Sequence, residues 1–375
     1  MTQDRSGITF SIIILSFNSS RFLEKCLASV FQSDYPEYEV ILIDNGSTDG
    51  SADIASKIAG TLGNLRILKS PVNLGFAGGN NLGASVADGD ILVFLNVDTE
   101  VAPDWLRGFQ FRFIETPKVG ALQAKLLRLS DHDIFDSAGD MVDYFGHGVS
   151  IGGDWNEKDS GQYENPYEVF AARGAALAIK REVFQRVGGF DESFFLDYED
   201  IDLCWRLRLA GYKIMYEPKS RVYHAASSRD FIDRSGTHAY HPIKNRYILM
   251  LKNYEISNLA KRMIPLLVLV TLMYIGGSFR QCNPELLKLV FKGNSWVFLN
   301  LRRIIAKRST VQRCIRMIPD SQIQSHMIMT NITRRARFYY LAWRIGFPKA
   351  SYWYASPVLK QIEASRVRTS AIQVK

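Results

Sequence analysis

Four carboxylates lie within six positions of this chain, at Asp197, Glu199, Asp200 and Asp202, and aromatic and apolar residues flank them. The apolar neighbours predict a partly buried setting, in which crowded carboxylates raise one another's pKa. A carboxylate with a pKa near neutrality can accept a proton from a hydroxyl group, so this segment is the best candidate for a catalytic centre. The alternative is the charged start of a helix, in which Asp202 and Arg206 form a surface ion pair four residues apart.

Alternating strands and helices in the first hundred residues indicate what would support such a centre. Four apolar runs predict strands, at residues 8–17, 40–43, 66–68 and 91–95. Helical spacing follows the first two runs, an order typical of an open parallel α/β sheet. Ligands bind beyond the carboxyl ends of the strands in such sheets, and Asp44 and Asn96-Val97-Asp98 are predicted to lie there.

Composition restricts the class of protein. The 375 residues are enough for one large core with an appendage, and 47% hydrophobic with 22% charged residues is typical of a globular protein. The net charge of +8 is unevenly spread, because residues 300–375 carry 15 Lys and Arg against Asp320 and Glu363. This basic tail predicts an anionic partner, although no recognition motif favours nucleic acid. Scattered cysteines and a polar N-terminus without a signal peptide predict a reducing compartment.

Within the C-terminal part, residues 264–279 form an apolar segment between basic residues. Its roughly sixteen residues are fewer than the about 20 that a spanning helix needs, and Pro265 and Gly276-Gly277 weaken it further. Several aromatic residues accompany it, namely Trp296, Tyr339, Tyr340, Trp343, Trp353 and Tyr354. This combination predicts a helix lying in the membrane interface, and the alternative is a buried core helix with a solvated basic tail.

Several short motifs, each weak alone, resemble those of glycosyltransferase family 2 in their order and spacing. They are SIIILSFN at 11–18, IDNGSTDGS at 43–51, NLGFAGGN at 73–80, LNVDT at 95–99, the Glu199-Asp200 segment and His224. The resemblance covers roughly residues 8–230 and is greatest to the rhamnosyltransferase-like branch. It implies an inverting enzyme with a GT-A fold, an α/β fold in which helices flank a Rossmann-like, mostly parallel open sheet.

The expected organisation follows from this resemblance. We expect a GT-A catalytic domain over residues 1–236, with a nucleotide-binding half to about 118 and an acceptor half of short strands and loops over 119–236. Residues 237–375 are expected to form a helical, basic, membrane-associating region.

The resemblance implies a set of donor-binding residues: Ser16, Asn18, Asp44, Asn45, Asn73, Gly75, Asn80, Asn96 and Val97. Asp44 would contact the base or ribose, and its alternative role is to form a turn. The glycines after Asn73 let backbone approach a ligand. Their spacing is not that of a dinucleotide loop and they follow the third strand, which disfavours a nicotinamide oxidoreductase.

Asn96-Val97-Asp98 occupies the place of the family's DxD motif, whose carboxylates hold Mg²⁺ or Mn²⁺ on the donor diphosphate. Asn96 replaces the first acid, so Asp98 is the expected carboxylate ligand. By resemblance, His224 joins it in the metal shell, and imidazole suits Mn²⁺. The alternatives are an acidic turn for Asp98 and a structural role for His224.

The resemblance also makes Asp200 the general base, with Glu199 beside it in the catalytic pair. The acceptor is expected near Arg173, Gly174 and Trp205. Two alternatives stay open here, because small residues at 174 also permit close packing and Trp205 could fill the core.

Together these implications predict a metal-dependent, inverting hexosyltransferase. It would move rhamnose or another hexose from dTDP-rhamnose or a UDP-hexose to a lipid-linked or other glycan, at the cytoplasmic face of the cell membrane, for surface polysaccharide or glycoprotein glycans. One alternative is a catalytically degenerate nucleotide-sugar-binding module, which Asn96 supports. Another is a glycoside hydrolase that uses two of the clustered acids. The sequence does not predict an oligomeric state.

Overall fold

A computed structural model describes residues 7–60, 64–225, 240–345, 353–356 and 359–360. The strands are β1 (Phe10–Ser16), β2 (Tyr38–Asp44), β3 (Leu65–Lys69), β4 (Ile91–Asn96), β5 (Thr99–Val101), β6 (Val119–Arg128), β7 (Asp131–Ser137), β8 (Asp140–Val142), β9 (Gly148–Ser150), β10 (Tyr167–Glu168), β11 (Ala176–Lys180) and β12 (Lys213–His224). The α-helices are α1 (Ser20–Phe31), α2 (Ser51–Ala59), α3 (Gly75–Ala84), α4 (Trp105–Glu115), α5 (Arg181–Arg186), α6 (Glu199–Leu209), α7 (His241–Asn253), α8 (Ile256–Gln281), α9 (Glu285–Leu299), α10 (Leu301–Thr310), α11 (Asp320–Gln324) and α12 (Ile332–Ile345).

Ten strands form one open sheet with the order β10-β12-β6-β11-β4-β1-β2-β3, in which β5 also pairs with β12 and β7 with β6. The strands β1 to β4 pair in parallel, which confirms the expected α/β core with flanking helices. The other half is mixed, because β11 runs antiparallel to both β4 and β6. A separate hairpin of β8 and β9 lies outside this sheet.

The apolar run of β1 is buried on both faces of the sheet. Ile12 and Ile14 belong to one hydrophobic core, and Ile13 belongs to the core on the opposite side. A strand covered on both sides reads as a continuous apolar run rather than an alternating one, which is why residues 8–17 predicted a buried parallel strand.

The glycine-rich stretch at 73–80 is mostly helix rather than loop, since α3 begins at Gly75. Its glycines serve helix-to-sheet packing. A Cβ added at Gly79 would lie 2.2 Å from a Leu15 methyl carbon, and one at Gly83 would lie 2.6 Å from Ile13. The absence of side chains therefore lets α3 approach β1 closely.

Two strands are longer than expected in the half that begins at residue 119. β6 has ten residues and lies inside the sheet, where only short strands were expected. Likewise β12 is one strand of twelve residues rather than a short one, with an irregular register between Glu217 and Arg221.

The C-terminal helices α7 to α10 pack against one another, and α7 also contacts α6 of the catalytic half. The segment predicted at 264–279 is part of the longer helix α8, which continues through Pro265. Over Ile256–Phe279 this helix is long and apolar enough to cross a membrane, by length and composition alone. The expectation that it is too short was therefore wrong. Residues 1–6, the 236/237 boundary and the side chains of Tyr339 and Trp343 lie outside the described residues.

Candidate active site

A cavity of about 870 Å³ lies beyond the carboxyl ends of β1 and β4. Ten of the predicted site residues line it: Asn18, Asn73, Asn96, Val97, Asp98, Arg173, Gly174, Glu199, Asp200 and His224. Six lie outside its lining: Ser16, Asp44, Asn45, Gly75, Asn80 and Trp205. The lining also includes Asp197 of the acidic cluster and three carboxylates that the sequence did not single out, Asp136, Asp140 and Asp154.

The ends of β1, β2 and β4 meet at one edge of the sheet, as expected. Ser16 pairs in register with Asp44, and Leu15 pairs with Asn96. The buried Asp44 carboxylate accepts a hydrogen bond from the Ser47 N–H at 3.1 Å, so its turn-forming role is real. The buried Ser16 hydroxyl has no hydrogen-bond partner among the described residues. Contacts of Ser16 and Asp44 with a nucleotide remain predictions.

Asn18 ties the end of β1 to the loop after β2. Its φ of +49° is a left-handed conformation, which asparagine adopts more readily than most side chains. Its Oδ1 accepts a hydrogen bond from the Thr48 N–H at 2.8 Å. In the same loop Asp49 accepts one from the Ser20 N–H at 2.9 Å, which satisfies an amide at the start of α1.

Asn45 positions a loop rather than facing the cavity. Its Nδ2 donates to Asn73 Oδ1 at 3.0 Å and to the Gly75 carbonyl at 3.3 Å, and its Oδ1 accepts from the Leu74 N–H at 2.9 Å. Asn80 is also buried, and its Nδ2 donates to a backbone carbonyl within α3 at 3.0 Å. Asn45 and Asn80 therefore have structural roles here, and their contacts with a donor remain predictions.

Gly75 brings the donor side of the site against the acidic segment. Its φ is +72°, and a Cβ there would lie 2.5 Å from the Phe195 carbonyl oxygen. The next residue, Phe76, donates its N–H to that same oxygen at 2.7 Å. Glycine is required at 75 because of this close approach, and the resulting contact fixes α3 relative to the residues before Glu199.

The predicted metal ligands Asp98 and His224 lie together. Asp98 Oδ1 is 3.3 Å from His224 Nε2, and Asn96 Nδ2 is 3.4 Å from the same nitrogen. The other ring nitrogen, Nδ1, is 2.9 Å from Asp136 Oδ2. Burial by itself lowers the pKa of His224, but the hydrogen bonds with Asp136 and Asp98 outweigh it and raise the pKa to about 9.

Asp98 and His224 could together hold a divalent cation once the His224 ring loses the proton that its carboxylate neighbours stabilise. Asp98 offers a carboxylate and His224 an imidazole, while Asp136 orients the ring as an outer carboxylate commonly does at metal sites. No group of three or more His, Cys, Asp or Glu side chains arranged to hold a metal occurs among the described residues. A cation held here would therefore need further oxygen ligands from the donor diphosphate.

Asp200 lies in the first turn of α6, within the cavity wall. Its Oδ2 accepts a hydrogen bond from the Gly174 N–H at 3.0 Å, and its Oδ1 accepts one from the Ile201 N–H at 2.7 Å. Burial and the nearby Asp140 raise the pKa of Asp200, although both hydrogen bonds oppose the change. A carboxylate positioned in this way, with a raised pKa, suits a general base.

Glu199 has a different character from its neighbour. It is buried, and its Oε2 has no hydrogen-bond partner among the described residues. Burial, Asp200 and Asp197 raise the pKa of Glu199 well above its ordinary value, which favours its protonated form. A protonated carboxyl group cannot accept the acceptor's proton. Burial and Asp200 also raise the pKa of Asp197, to about 6.

We expect Glu199→Gln to stabilise the protein at neutral pH. The pKa of Glu199 is higher in the folded than in the unfolded protein, so its protonated form stabilises the fold. This stabilisation is complete below the ordinary pKa of 4.5 and is lost as the pH rises. Between 4.5 and the folded-state pKa, each pH unit lowers the free energy of unfolding by about 1.4 kcal/mol. Urea unfolding from pH 4.5 to pH 8 measures the effect, with exposed Glu182→Gln as the control. Parallel stability curves for wild type and Glu199→Gln would refute it.

The segment before α6 has an unusual backbone. Phe195, Asp197 and Tyr198 have φ values of +66°, +67° and +73°, and such conformations cost free energy unless neighbouring groups hold them. Asn245 Nδ2, on α7, lies 3.0 Å from the Phe194 carbonyl oxygen and 2.7 Å from the carbonyl oxygens of residues 196 and 197. A helix of the C-terminal region therefore holds the acidic segment, a contact that no sequence motif indicates.

On the expected acceptor side, the guanidinium of Arg173 lies between Asp136 at 3.4 Å and Asp140 at 3.3 Å. Gly174 has the packing role that was its alternative, since a Cβ there would lie 2.7 Å from the Phe76 ring. Its N–H also fixes Asp200. Arg173 is thus held by carboxylates on the cavity wall, and acceptor contacts of both residues remain predictions.

Trp205 does not line the cavity and has the core-filling role that was its alternative. It is fully buried, and its ring packs at right angles to the rings of Phe170 and Tyr254. The predicted pair of Asp202 and Arg206 forms at 2.8 Å, but both side chains are buried rather than on the surface. The C-terminal helices cover this face of α6, since Tyr254 follows α7 and Lys252 on α7 also pairs with Asp202.

The open sheet, with carboxylates at its strand ends and along the cavity, defines a GT-A-type protein. The structure of GalNAc-T7, solved with UDP, GalNAc and Mn²⁺, has the same fold: the TM-score is 0.58 at 18% identity, over 80% of this chain and 58% of that one. Residues 11–187 match the model of glycosyl transferase family 2. Over residues 11–187 the chain is therefore similar to a family 2 glycosyltransferase domain, and this match favours neither the hydrolase nor the oxidoreductase alternative.

Two relatives illustrate the range of similar proteins. The chain is 29% identical over 265 residues to N-acetylglucosaminyl-diphospho-decaprenol L-rhamnosyltransferase of Mycobacterium tuberculosis, covering 65% of this chain and 84% of that protein. It is 30% identical over 229 residues to the uncharacterized protein y4gI of Sinorhizobium fredii, where the match covers 58% of this chain and 24% of the relative. Similarity to a rhamnosyltransferase supports the predicted branch.

Proposed function

We propose that this protein is an inverting glycosyltransferase that moves rhamnose or another hexose from a nucleoside-diphosphate donor to a hydroxyl of a lipid-linked glycan. The observation that carries the proposal is that one cavity is lined both by Asp98 with His224 and by Asp200 with its raised pKa. The first pair suits the diphosphate end of a donor, and Asp200 suits the attacking hydroxyl.

In the proposed reaction, Asp200 accepts the proton of the acceptor hydroxyl while that oxygen attacks the anomeric carbon. The carbon–oxygen bond to the diphosphate breaks from the opposite face, so the anomeric configuration inverts. Asp98 and His224 would hold Mg²⁺ or Mn²⁺, and such a cation neutralises charge on the departing diphosphate. Asp136 keeps the imidazole oriented through its contact with Nδ1.

The donor and acceptor in this proposal rest on the relatives. The mycobacterial relative is named for L-rhamnose transfer and for a diphospho-decaprenol acceptor. We therefore propose dTDP-rhamnose as the first donor to test, with UDP-hexoses next, and a polyprenyl-diphosphate glycan of a surface polysaccharide or glycoprotein as the acceptor. Because nucleotide sugars are cytosolic, the proposed location is the cytoplasmic face of the cell membrane.

A nucleotide screen tests the proposal. dTDP or UDP with Mn²⁺, at about 100 times its dissociation constant, should stabilise the protein by roughly 2.7 kcal/mol, because it binds the folded state alone. Thermal unfolding with each nucleotide, with and without Mn²⁺, measures this, and nuclear magnetic resonance of the product reports its anomeric configuration. Stabilisation by no nucleoside diphosphate would remove the proposal. Stabilisation without turnover would favour the degenerate binding module.

A further inference from the structure

Exposed apolar side chains are concentrated in the C-terminal helices. Nineteen large apolar side chains of the described residues are exposed, and fourteen of them follow residue 255. That part supplies less than a third of the described chain, so the excess is regional. Contiguous exposed apolar surface on a protein marks a place where another apolar surface binds.

Helix α8 has two distinct faces. Ile264, Val268 and Leu272, each four residues from the next, are 67%, 53% and 60% exposed and form one stripe. Leu266 and Val270, on the other face, are buried against the rest of the protein. A helix with one covered face and one exposed apolar face has the arrangement of a helix that lies along a membrane surface.

Helix α9 continues this exposed apolar surface. Phe291, Phe298 and Leu299 are 73%, 77% and 80% exposed. Basic side chains accompany them on α9 and at the start of α10, namely the exposed Lys288, Arg302 and Arg303. Apolar and basic side chains on one surface complement the acyl chains and headgroups of an anionic bilayer.

The other side of α9 lies against the cavity wall. Lys292 Nζ is 4.2 Å from the centre of the Tyr240 ring, and Lys244 Nζ is 4.5 Å from that of Trp296. A Cβ at Gly293 would lie 3.2 Å from Ile243, so α9 and α7 are in close contact. Pro242, in the first turn of α7, is itself part of the cavity lining.

We infer that the exposed faces of α8 and α9 form a docking surface for an anionic lipid bilayer and hold the cavity beside the headgroups. Such a surface would let the catalytic site reach a sugar whose carrier lipid stays in the membrane. The choice of a lipid-linked acceptor rests on the proposed function. An anionic bilayer provides partners for both the apolar and the basic side chains of this surface.

Paired charge insertions test this surface. Phe291→Glu with Phe298→Glu places two carboxylates on the exposed face of α9. Phe111→Glu with Ile114→Glu is the matched control, because both residues are exposed on α4 of the catalytic domain. Flotation uses the full chain with vesicles of phosphatidylcholine and phosphatidylglycerol, and with phosphatidylcholine alone. We expect wild type and the control pair to float with the anionic vesicles, less so at high salt, and the α9 pair to bind at least about tenfold more weakly.

Equal flotation of both pairs, or none of the wild type, would overturn the inference. So would a dimer, measured by light scattering, that the α9 pair dissociates, because a second copy would then cover the face. Stabilisation by dTDP or UDP with Mn²⁺ is measured on the same variants. Flotation without nucleotide stabilisation would leave the docking surface and remove the proposed function, and the reverse would remove the surface alone.

Discussion

Replacing Asp200 with asparagine is expected to lower kcat by about 10²–10⁴-fold, because the reaction loses the group that accepts the acceptor's proton. The amide keeps the shape of the side chain and one oxygen for the Gly174 N–H, so the fold and nucleotide binding should be retained. Initial rates with the donor and acceptor, alongside nucleotide stabilisation of both proteins, measure the two effects separately.

The acidic neighbour Asp197 supplies the critical comparison. It also lines the cavity and its pKa is raised to about 6, so it is the other carboxylate that could act as the base. A larger loss in Asp197→Asn than in Asp200→Asn would transfer the assignment to Asp197. Since the base must be ionised, kcat/KM should rise with pH through the raised pKa of Asp200, and Asp200→Asn should lack this rise.

Asn245→Ala is expected to lower kcat by about 100-fold although Asn245 touches no reacting group. The variant loses the amide that lies against three carbonyl oxygens of the acidic segment, and a displacement of about 1 Å in a catalytic group can cost a factor of this size. Nucleotide binding is expected at Asp98 and His224, outside the acidic segment, so it should change less than kcat even though Gly75 contacts that segment at Phe195. Steady-state kinetics and nucleotide stabilisation distinguish the two.

Asn258→Ala is the matched control. Asn258 lies on α8, away from the acidic segment, and its Nδ2 donates a hydrogen bond to Asp320 at 2.8 Å. It should affect stability and leave kcat nearly unchanged. Asn245→Gln keeps the amide donor and should recover part of the lost activity. An unchanged kcat in Asn245→Ala, or equal losses in both alanine variants, would show that the contact does not position the acidic segment.

The sequence predicts the first half of the fold well because its signals are local. Apolar runs buried on both faces predict the parallel strands, and the meeting of Ser16, Asp44 and Asn96 at one edge follows from parallel pairing. The helical start of the 73–80 stretch escaped notice because glycine disfavours helices by about 1 kcal/mol per residue. Close packing of Gly79 and Gly83 against β1 offsets that preference, and packing between distant segments has no local signature.

The missed site residues share this long-range character. Asp136 lies 88 residues from His224 and meets it only because β6 pairs with both β7 and β12. Asn245 reaches Asp197 across 48 residues of chain. Trp205 and Asp202 lie in the predicted helix α6. They are buried because α7 and Tyr254 cover that face of the helix, and the residues of α6 alone do not predict which face is covered.

The contact between Gly75 and Phe195 limits how such enzymes can be recombined. Exchanging only the first 118 residues for those of another transferase, to alter the sugar donor, would set a foreign loop against the Phe195 carbonyl, where no Cβ fits. The acidic segment is bound in turn to Asn245. A working chimera would have to exchange residues 73–76, 193–198 and 240–253 together. The donor preference of this protein could therefore not be changed by exchanging the N-terminal residues alone.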